Sequence, residues 1–300
     1  MTIYNQISSN KLKTILMMGV FILLFVGVSV LLGRALGYGM SFAGIMLIIS
    51  GVMSFVSFYY SDKIVLSMTG ARPAKREQYK DLFQSVENLS IASGLPMPKI
   101  YVIDDPSPNA FATGRDPKHA VVAATTGILN ILSESELEGV IGHEMSHIKN
   151  YDIRLMGVVS ILAGSIAIIS DFFMRSLLWG GGRDDNRSSG NALFLVLGVI
   201  AAILAPIAAM LIQFAVSRRR EFLADASGAL LTRHPEALAR ALEKISQDRH
   251  QMKTASNATA HLFIENPFKT DAGKKTRSFL AGLFSTHPSV EERIKILRSM

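Results

Sequence analysis

The sequence predicts a mainly α-helical membrane protein, with four transmembrane helices carrying a small α+β domain on the cytoplasmic side. Three observations predict it. Apolar runs recur at residues 14–33, 35–60, 155–174 and 192–216, each near the length a bilayer requires. Charged residues make up only 18% of the chain and the mean hydropathy is +0.30. The strand-like segments gather between the second and third runs, just ahead of a helix that carries a tight group of histidine and glutamate.

Residues 14–33 carry no charge and follow Lys11 and Lys13. A secretory leader also starts this way, but this run is too long for one and a second follows directly after Arg34, so an uncleaved anchor is expected. The second run ends on Tyr59 and Tyr60, aromatic residues suited to a water–lipid interface. Lys63, Arg72, Lys75, Arg76 and Lys80 follow; with Lys11 and Lys13 they place the N-terminus and this region in the cytoplasm. The net charge of +7 comes from basic residues beside the apolar runs, without aromatic interleaving. That pattern excludes a nucleic-acid partner and points to the lipid bilayer. The absence of cysteine excludes disulfides and limits any zinc ligands to histidines and carboxylates. The expected division is an N-terminal hairpin over 1–60, a cytoplasmic catalytic part over 61–154, a second hairpin over 155–216, and a cytoplasmic C-terminal part over 217–300.

A polar helix is predicted over 74–93, stopped by Gly94 and Pro96. Strands are predicted at 99–103, 109–113 and 119–124, the last two joined by the turn Gly114-Arg115-Asp116-Pro117. Ser133 and Glu136 then form a capping box, and Leu137, Val140 and Ile141 give the helical apolar spacing. Within that helix stands Gly142-His143-Glu144-Met145-Ser146-His147. Residues i and i+4 share a helical face, so His143 and His147 can address one ion. Glu144, next round the helix, lies beside such an ion without ligating it, where it can accept a proton from water. The plain alternative is a surface helix whose polar residues face solvent.

The third run is short for a span unless Asp171 and the residues after it reach the far interface. A Gly- and Ser-rich loop is expected over 175–191 around Trp179, and Pro206 is expected to kink the fourth run. Arg218, Arg219 and Arg220 end that run on the cytoplasmic side. Pro235 opens a helix with Leu238, Leu242 and Ile245 on one face; 250–277 reads as loop; Ser289 and Glu292 cap a final helix. His119, His234, His250 and His261 have no partner at ligand spacing and are expected to be ordinary surface or core residues.

A catalytic zinc site takes three protein ligands and leaves one position open. Runs three and four return the chain to the membrane face that His147 left, and the first residue there is Glu221, in Glu221-Phe222-Leu223-Ala224-Asp225. Glu221 is the expected third ligand; Asp225, on the same helical face, can hold a ligating histidine's ring N–H. The competing reading makes Glu221 a counter-charge to the three arginines.

Taken together, four apolar runs, His143-Glu144-Met145-Ser146-His147 at the mouth of the third and Glu221-Phe222-Leu223-Ala224-Asp225 at the exit of the fourth resemble the HtpX-type membrane zinc metalloproteases. The resemblance covers essentially the whole chain and extends to the wider group that includes the CAAX prenyl endopeptidases. It implies a zincin-like (gluzincin) metalloprotease domain with one zinc ion, in a multi-pass protein of the bacterial cytoplasmic (inner) membrane. It implies unfolded or damaged membrane proteins as substrates, in quality control and stress response. Pro108-Asn109-Ala110-Phe111-Ala112 matches the segment taken to line the substrate cleft, and Thr286-His287-Pro288-Ser289 with Arg293-Ile294 matches the C-terminal signature. The resemblance implies that Asn109 steadies the substrate backbone and His287 the oxyanion; on physical grounds alone either residue could be only a turn or a helix entry. Ala110, Phe111 and Ala112 would then form a strand edge that receives substrate. Two rivals stand beside this reading. One is a client-binding membrane protein with a structural zinc, which has no need of Glu144. The other is a protease for prenylated peptides, for which four spans offer little wall for a prenyl chamber.

Overall fold

The computed structural model describes residues 3–36, 39–180, 218–256, 258–268 and 288–300. The expected span 192–216 with Pro206, residues 181–191 of the expected loop, and His287 lie outside the described residues.

Two long helices open the chain, α1 (Ile3–Leu36) and α2 (Gly39–Tyr59). They pack on each other and on α7 (Asp152–Gly180). Their outward faces are apolar and exposed, with Ile15, Leu16 and Leu23 on α1 and Ile48, Val52 and Phe55 on α2. Among the described residues, Ser8–Gly27 is one helical stretch long and apolar enough to cross a membrane, and Leu47–Tyr59 is a shorter apolar stretch.

Helix α3 (Ser61–Thr69) ends where Gly70 turns left-handed at φ 66°, its N–H bonding back to Leu66 and Ser67, a conformation glycine adopts without a Cβ penalty. Strand β1 (Arg72–Pro73) follows, and α4 (Lys80–Ser93) starts later than the polar pattern predicts. The cause is backbone pairing: the Ala74 N–H donates to the Ile100 carbonyl at 3.0 Å, so the chain is still extended where the helix was expected to begin.

Strands β2 (Lys99–Ile103), β3 (Ala110–Gly114) and β4 (Ala120–Thr125) complete a sheet of order β1-β2-β4-β3. β2 and β4 are parallel, while β3 lies antiparallel to β4 with Ala110 opposite Ala124 and Ala112 opposite Val122. Side chains alternate across a strand, and β3 uses both faces. Ala110 and Ala112 join a core with α4 and the metal helix, whereas Phe111 joins a second core with Val65, Met156 and Phe263.

After α5 (Thr126–Ile131) comes α6 (Glu134–Lys149), the helix of the His-Glu-x-x-His sequence. Its start is fixed as the sequence predicts: the Ser133 N–H donates to Glu136 Oε2 at 2.8 Å, and Lys244 Nζ lies 2.6 Å from the same oxygen. Burial would raise the Glu136 carboxyl, yet the bonds from Lys244 and Ser133 hold it below the usual range. Helix α7 runs unbroken through Arg175–Gly180, where a loop was expected. Its charged and small residues end the hydropathy signal without breaking helical geometry.

Further described helices are α8 (Arg218–Thr232), α9 (Pro235–Gln247) and α10 (Val290–Leu297). Gly142 and Gly228 let α6 and α8 cross at backbone distance: a Cβ on Gly228 would meet the His143 nitrogen at 2.8 Å. That close crossing brings Glu221 to the two histidines.

Candidate metal centre

Helix α6 carries His143, Glu144 and His147, all inside the protein with 5% exposure or less. The first turn of α8 supplies Glu221, equally buried. His143 Nε2 and His147 Nε2 are 3.2 Å apart. Glu221 reaches both, with Oε2 3.7 Å from His143 Nε2 and Oε1 3.6 Å from His147 Nε2. One ligand atom from each of the three residues falls within 4.8 Å of the others. Ligand nitrogens about 2.0–2.1 Å from a tetrahedral zinc stand roughly 3.3 Å apart, so the histidine pair already has the required spacing.

The tautomers support the same reading. His143 Nδ1 lies 2.8 Å from Asp225 Oδ1, and His147 Nδ1 lies 3.0 Å from Asp152 Oδ2. An ionised carboxylate only accepts, so both Nδ1 atoms donate, which leaves each Nε2 as the position for a metal ion or a further proton. Two lone pairs facing at 3.2 Å repel unless a cation or a proton lies between them. Burial works against charge on His147, but the Asp152 bond and the nearby Glu221 and Glu144 raise its pKa to about 9. The residues present therefore fit a divalent cation, and two histidines with one carboxylate are a donor set for zinc.

Each of the two histidines is held by a second group of the chain. Tyr151, at φ 60°, reverses the chain between α6 and α7, which returns Asp152 to His147. Asn10 of α1 donates to Asp152 Oδ1 at 2.6 Å and to the Asn150 carbonyl at 2.9 Å, and Arg220 Nη1 donates to Asn10 Oδ1 at 3.3 Å. Arg220 also stands 3.6 Å from Asp152, so the arginine next to Glu221 is matched by a different carboxylate. On the other side Arg293 grips Asp225 through both oxygens, at 2.8 and 2.7 Å, and donates to the Ile264 carbonyl at 3.2 Å. Burial alone would raise the Asp225 carboxyl; Arg293 and His143 bring it down to about 2. Asp225 thus occupies the place expected of it. Asp152, Asn10 and Arg293 were not expected there, and only Arg293, within the C-terminal signature, left a trace in the sequence.

Glu144 is buried, and that burial raises its pKa; the two histidines oppose the rise, Glu221 adds to it, and the Ala112 N–H bonds the carboxylate. Strand β3 therefore touches Glu144 directly. Asn109, just before β3, is fully buried. Its Nδ2 donates to the Glu265 carbonyl at 3.0 Å, and its Oδ1 accepts the Glu265 N–H at 3.3 Å. The side chain expected to meet substrate is thus engaged by the protein's own backbone. Phe111 meets Phe263 edge-on at 5.2 Å. His119 and His250 are exposed and paired with Asp116 and Asp248, and His261 is buried against Ser160.

Residues 76–300 match the model described as Peptidase family M48. A relative named Protease HtpX homolog from Tropheryma whipplei (strain Twist) is 50% identical over 298 residues, covering 99% of this chain and 98% of its own. Others of that name from Dictyoglomus turgidum and Caldanaerobacter subterraneus are 46% and 45% identical, each across all of this chain and at least 95% of their own. The crystal structure of S. mikatae Ste24p aligns with a TM-score of 0.43 at 19% identity, over 85% of this chain and 64% of that one. With a family match over most of its length and relatives of this identity, and with a paired-histidine and glutamate centre built for one metal ion, the chain belongs to peptidase family M48, the zinc metallopeptidases.

Proposed function

We propose that this chain is an integral-membrane zinc endopeptidase that cuts unfolded or damaged membrane proteins at the cytoplasmic face of the bacterial inner membrane. The observation that carries the chemistry is the convergence of the two Nε2 atoms and the Glu221 carboxylate beside Glu144. His143, His147 and Glu221 would hold zinc, which when bound supplies an acidified water and polarises the scissile carbonyl. Asp225 and Asp152 keep the rings in the ligating tautomer. Glu144, lifted by burial, takes the attacking water's proton and passes it to the leaving amine. His287 adds a donor to the oxyanion. Stripping the purified protein of zinc should abolish cleavage of an unfolded protein substrate, and restoring zinc should recover it; equal rates in both states would remove the metal from the reaction.

Substrate is proposed to add as a strand beside β3. This strand ends the sheet order among the described residues. The Thr125 N–H donates to the Asn109 carbonyl, so alternation turns the backbone groups of residues 110, 112 and 114 outward. The Ala110 carbonyl already accepts the Ile264 N–H at 3.0 Å, and the Ala112 N–H serves Glu144. Among the described residues the Ala112 carbonyl then remains as an outward pairing group on the residue that bonds Glu144. Strand pairing uses every second residue of a peptide. N-methylation along a cleavable peptide should therefore slow cleavage at alternate positions, by about fivefold for each lost hydrogen bond of roughly 1 kcal/mol. A loss without that alternation would place substrate elsewhere.

The four-span arrangement with both termini cytoplasmic is supported by the exposed apolar faces of α1 and α2 and by the basic residues beside the apolar runs. A chain without cysteine allows single-site labelling. Lys80→Cys should be shielded from an impermeant thiol reagent in intact cells, and Ser188→Cys should react or be buried in the bilayer. Labelling of Lys80→Cys from outside would invert the topology.

A further inference from the structure

Where α2 ends against the sheet, the surface holds a cavity of about 280 Å³ whose lining includes Phe55, Tyr59, Tyr60, Lys63, Lys99 and Arg115. It takes no part in the metal centre. Three of its residues are cationic, and Asp62 is the one carboxylate of the lining. Neither Lys63 nor Lys99 has a carboxylate within 4.0 Å among the described residues.

Arg115 is oriented before any ligand arrives. Its guanidinium carbon sits 5.3 Å from the centre of the Tyr59 ring. Nη1 donates to the Tyr59 carbonyl at 3.4 Å, and Nη2 lies 2.7 Å from His119 Nε2. His119 Nδ1 in turn lies 2.7 Å from Asp116 Oδ1. The carboxylate can only accept, so Nδ1 carries the ring proton and Nε2 accepts from Arg115. The Nε of Arg115 faces Asp116 Oδ2 at 3.5 Å. Among the described residues one N–H on each terminal nitrogen of the guanidinium has no partner, a pair of donors that suits a phosphate. Lys63, 5.3 Å over the Tyr60 ring, and Lys99 add positive charge to the same lining.

The cavity wall also says where the rest of the ligand lies. Phe55 is 57% exposed, and it continues the exposed apolar face of α2 through Val52 and Ile48. A cationic pocket joined to an apolar helix face suits a molecule with a phosphate at one end and hydrocarbon at the other. We propose that this cavity binds the phosphate of an anionic phospholipid head group, with Lys63, Lys99 and Arg115 as its cationic contacts and the acyl chains along α2. The proposal rests on the reading that α2 lies in the bilayer. A soluble phosphate offers the same head-group chemistry without the hydrocarbon.

The full-length zinc-loaded protein in nanodiscs separates these possibilities, with spin-labelled phosphatidylglycerol and spin-labelled phosphatidylcholine as the probes. The immobilised lipid component should favour phosphatidylglycerol by about fivefold or more. That preference should fall to near unity in Lys63→Gln/Lys99→Gln, which removes two side chains with no described hydrogen bond. It should persist in Lys75→Gln/Lys80→Gln, an equal charge change outside the cavity. It should also survive excess inorganic phosphate at ionic strength matched with chloride. Loss with phosphate alone would make the ligand a soluble anion, and equal loss in both lysine pairs would reduce the effect to general surface charge; either result overturns the lipid site. Immobilised lipid of both kinds without selectivity overturns the site while leaving the membrane reading intact. No immobilised lipid at all overturns both.

Discussion

Glu144→Gln is expected to bind zinc at the wild-type ratio, keep the fold, and lose roughly 10²–10⁴-fold in the rate of peptide hydrolysis, the usual worth of a positioned proton acceptor. The substitution keeps the side chain's size and an oxygen that can still accept the Ala112 N–H. What it removes is basicity: an amide cannot take the proton of the attacking water. Glu144 is suited to that task because burial lifts its pKa while the neighbouring histidines keep the carboxylate form within reach. Zinc content and cleavage of an unfolded protein, measured on one preparation, decide the matter. Near-normal turnover in a zinc-replete variant would move the base to another residue, and lost zinc would show that Glu144 also shapes the ligand set.

The metal centre was legible wherever local rules act. His143 and His147 are one turn apart on a helix whose start Ser133 and Glu136 fix, so spacing alone set their shared face. Glu221 was found by following the chain back to the membrane face it had left, and Asp225 by its place one turn further on. The groups that hold the site were hidden for a physical reason. Asn10 meets Asp152 across 142 positions, and Arg293 meets Asp225 across 68; such contacts arise from packing and leave no periodic trace. Asn109 was placed by its segment rather than by spacing. That segment gave the expectation of substrate contact; the bonds of the buried Asn109 amide to the Glu265 backbone come from packing and had no signal in the sequence. In the fold, β2 was read residue for residue because its apolar run is bounded by turn signals. β1 is two residues long, α3 lacks a clean stop on its N-terminal side, and α7 extends past its hydropathy signal; each depends on neighbours more than on pattern.

Glu221→Ala and Asp225→Asn should separate a ligand from the group that orients one. Removing Glu221 leaves two imidazoles for an ion that needs a third protein donor, so zinc should be lost in equilibrium dialysis and activity with it. Asp225→Asn keeps an oxygen to accept the His143 Nδ1 proton, so zinc should stay bound with affinity lower by about 10–100-fold. Alanine at 225 asks a different question. Arg293 is 1% exposed and spends two donors on Asp225, and a buried guanidinium left without its carboxylate costs about 3–5 kcal/mol. Asp225→Ala should therefore lower the thermal midpoint even in the zinc-free protein, where the ligand role is silent, while Glu221→Ala should change the zinc-free midpoint far less. The charge arrangement sets the sign of the pH effect as well. Asp225 is held down to about 2 against roughly 3.9 when unfolded, so its contribution is full above pH 4 or so and fades as the pH falls toward 2. Tight stoichiometric zinc in Glu221→Ala would assign the third position to another carboxylate or histidine. Equal zinc loss in Glu221→Ala and Asp225→Asn would make the two residues indistinguishable in role, and the division between ligand and orienting group would fail.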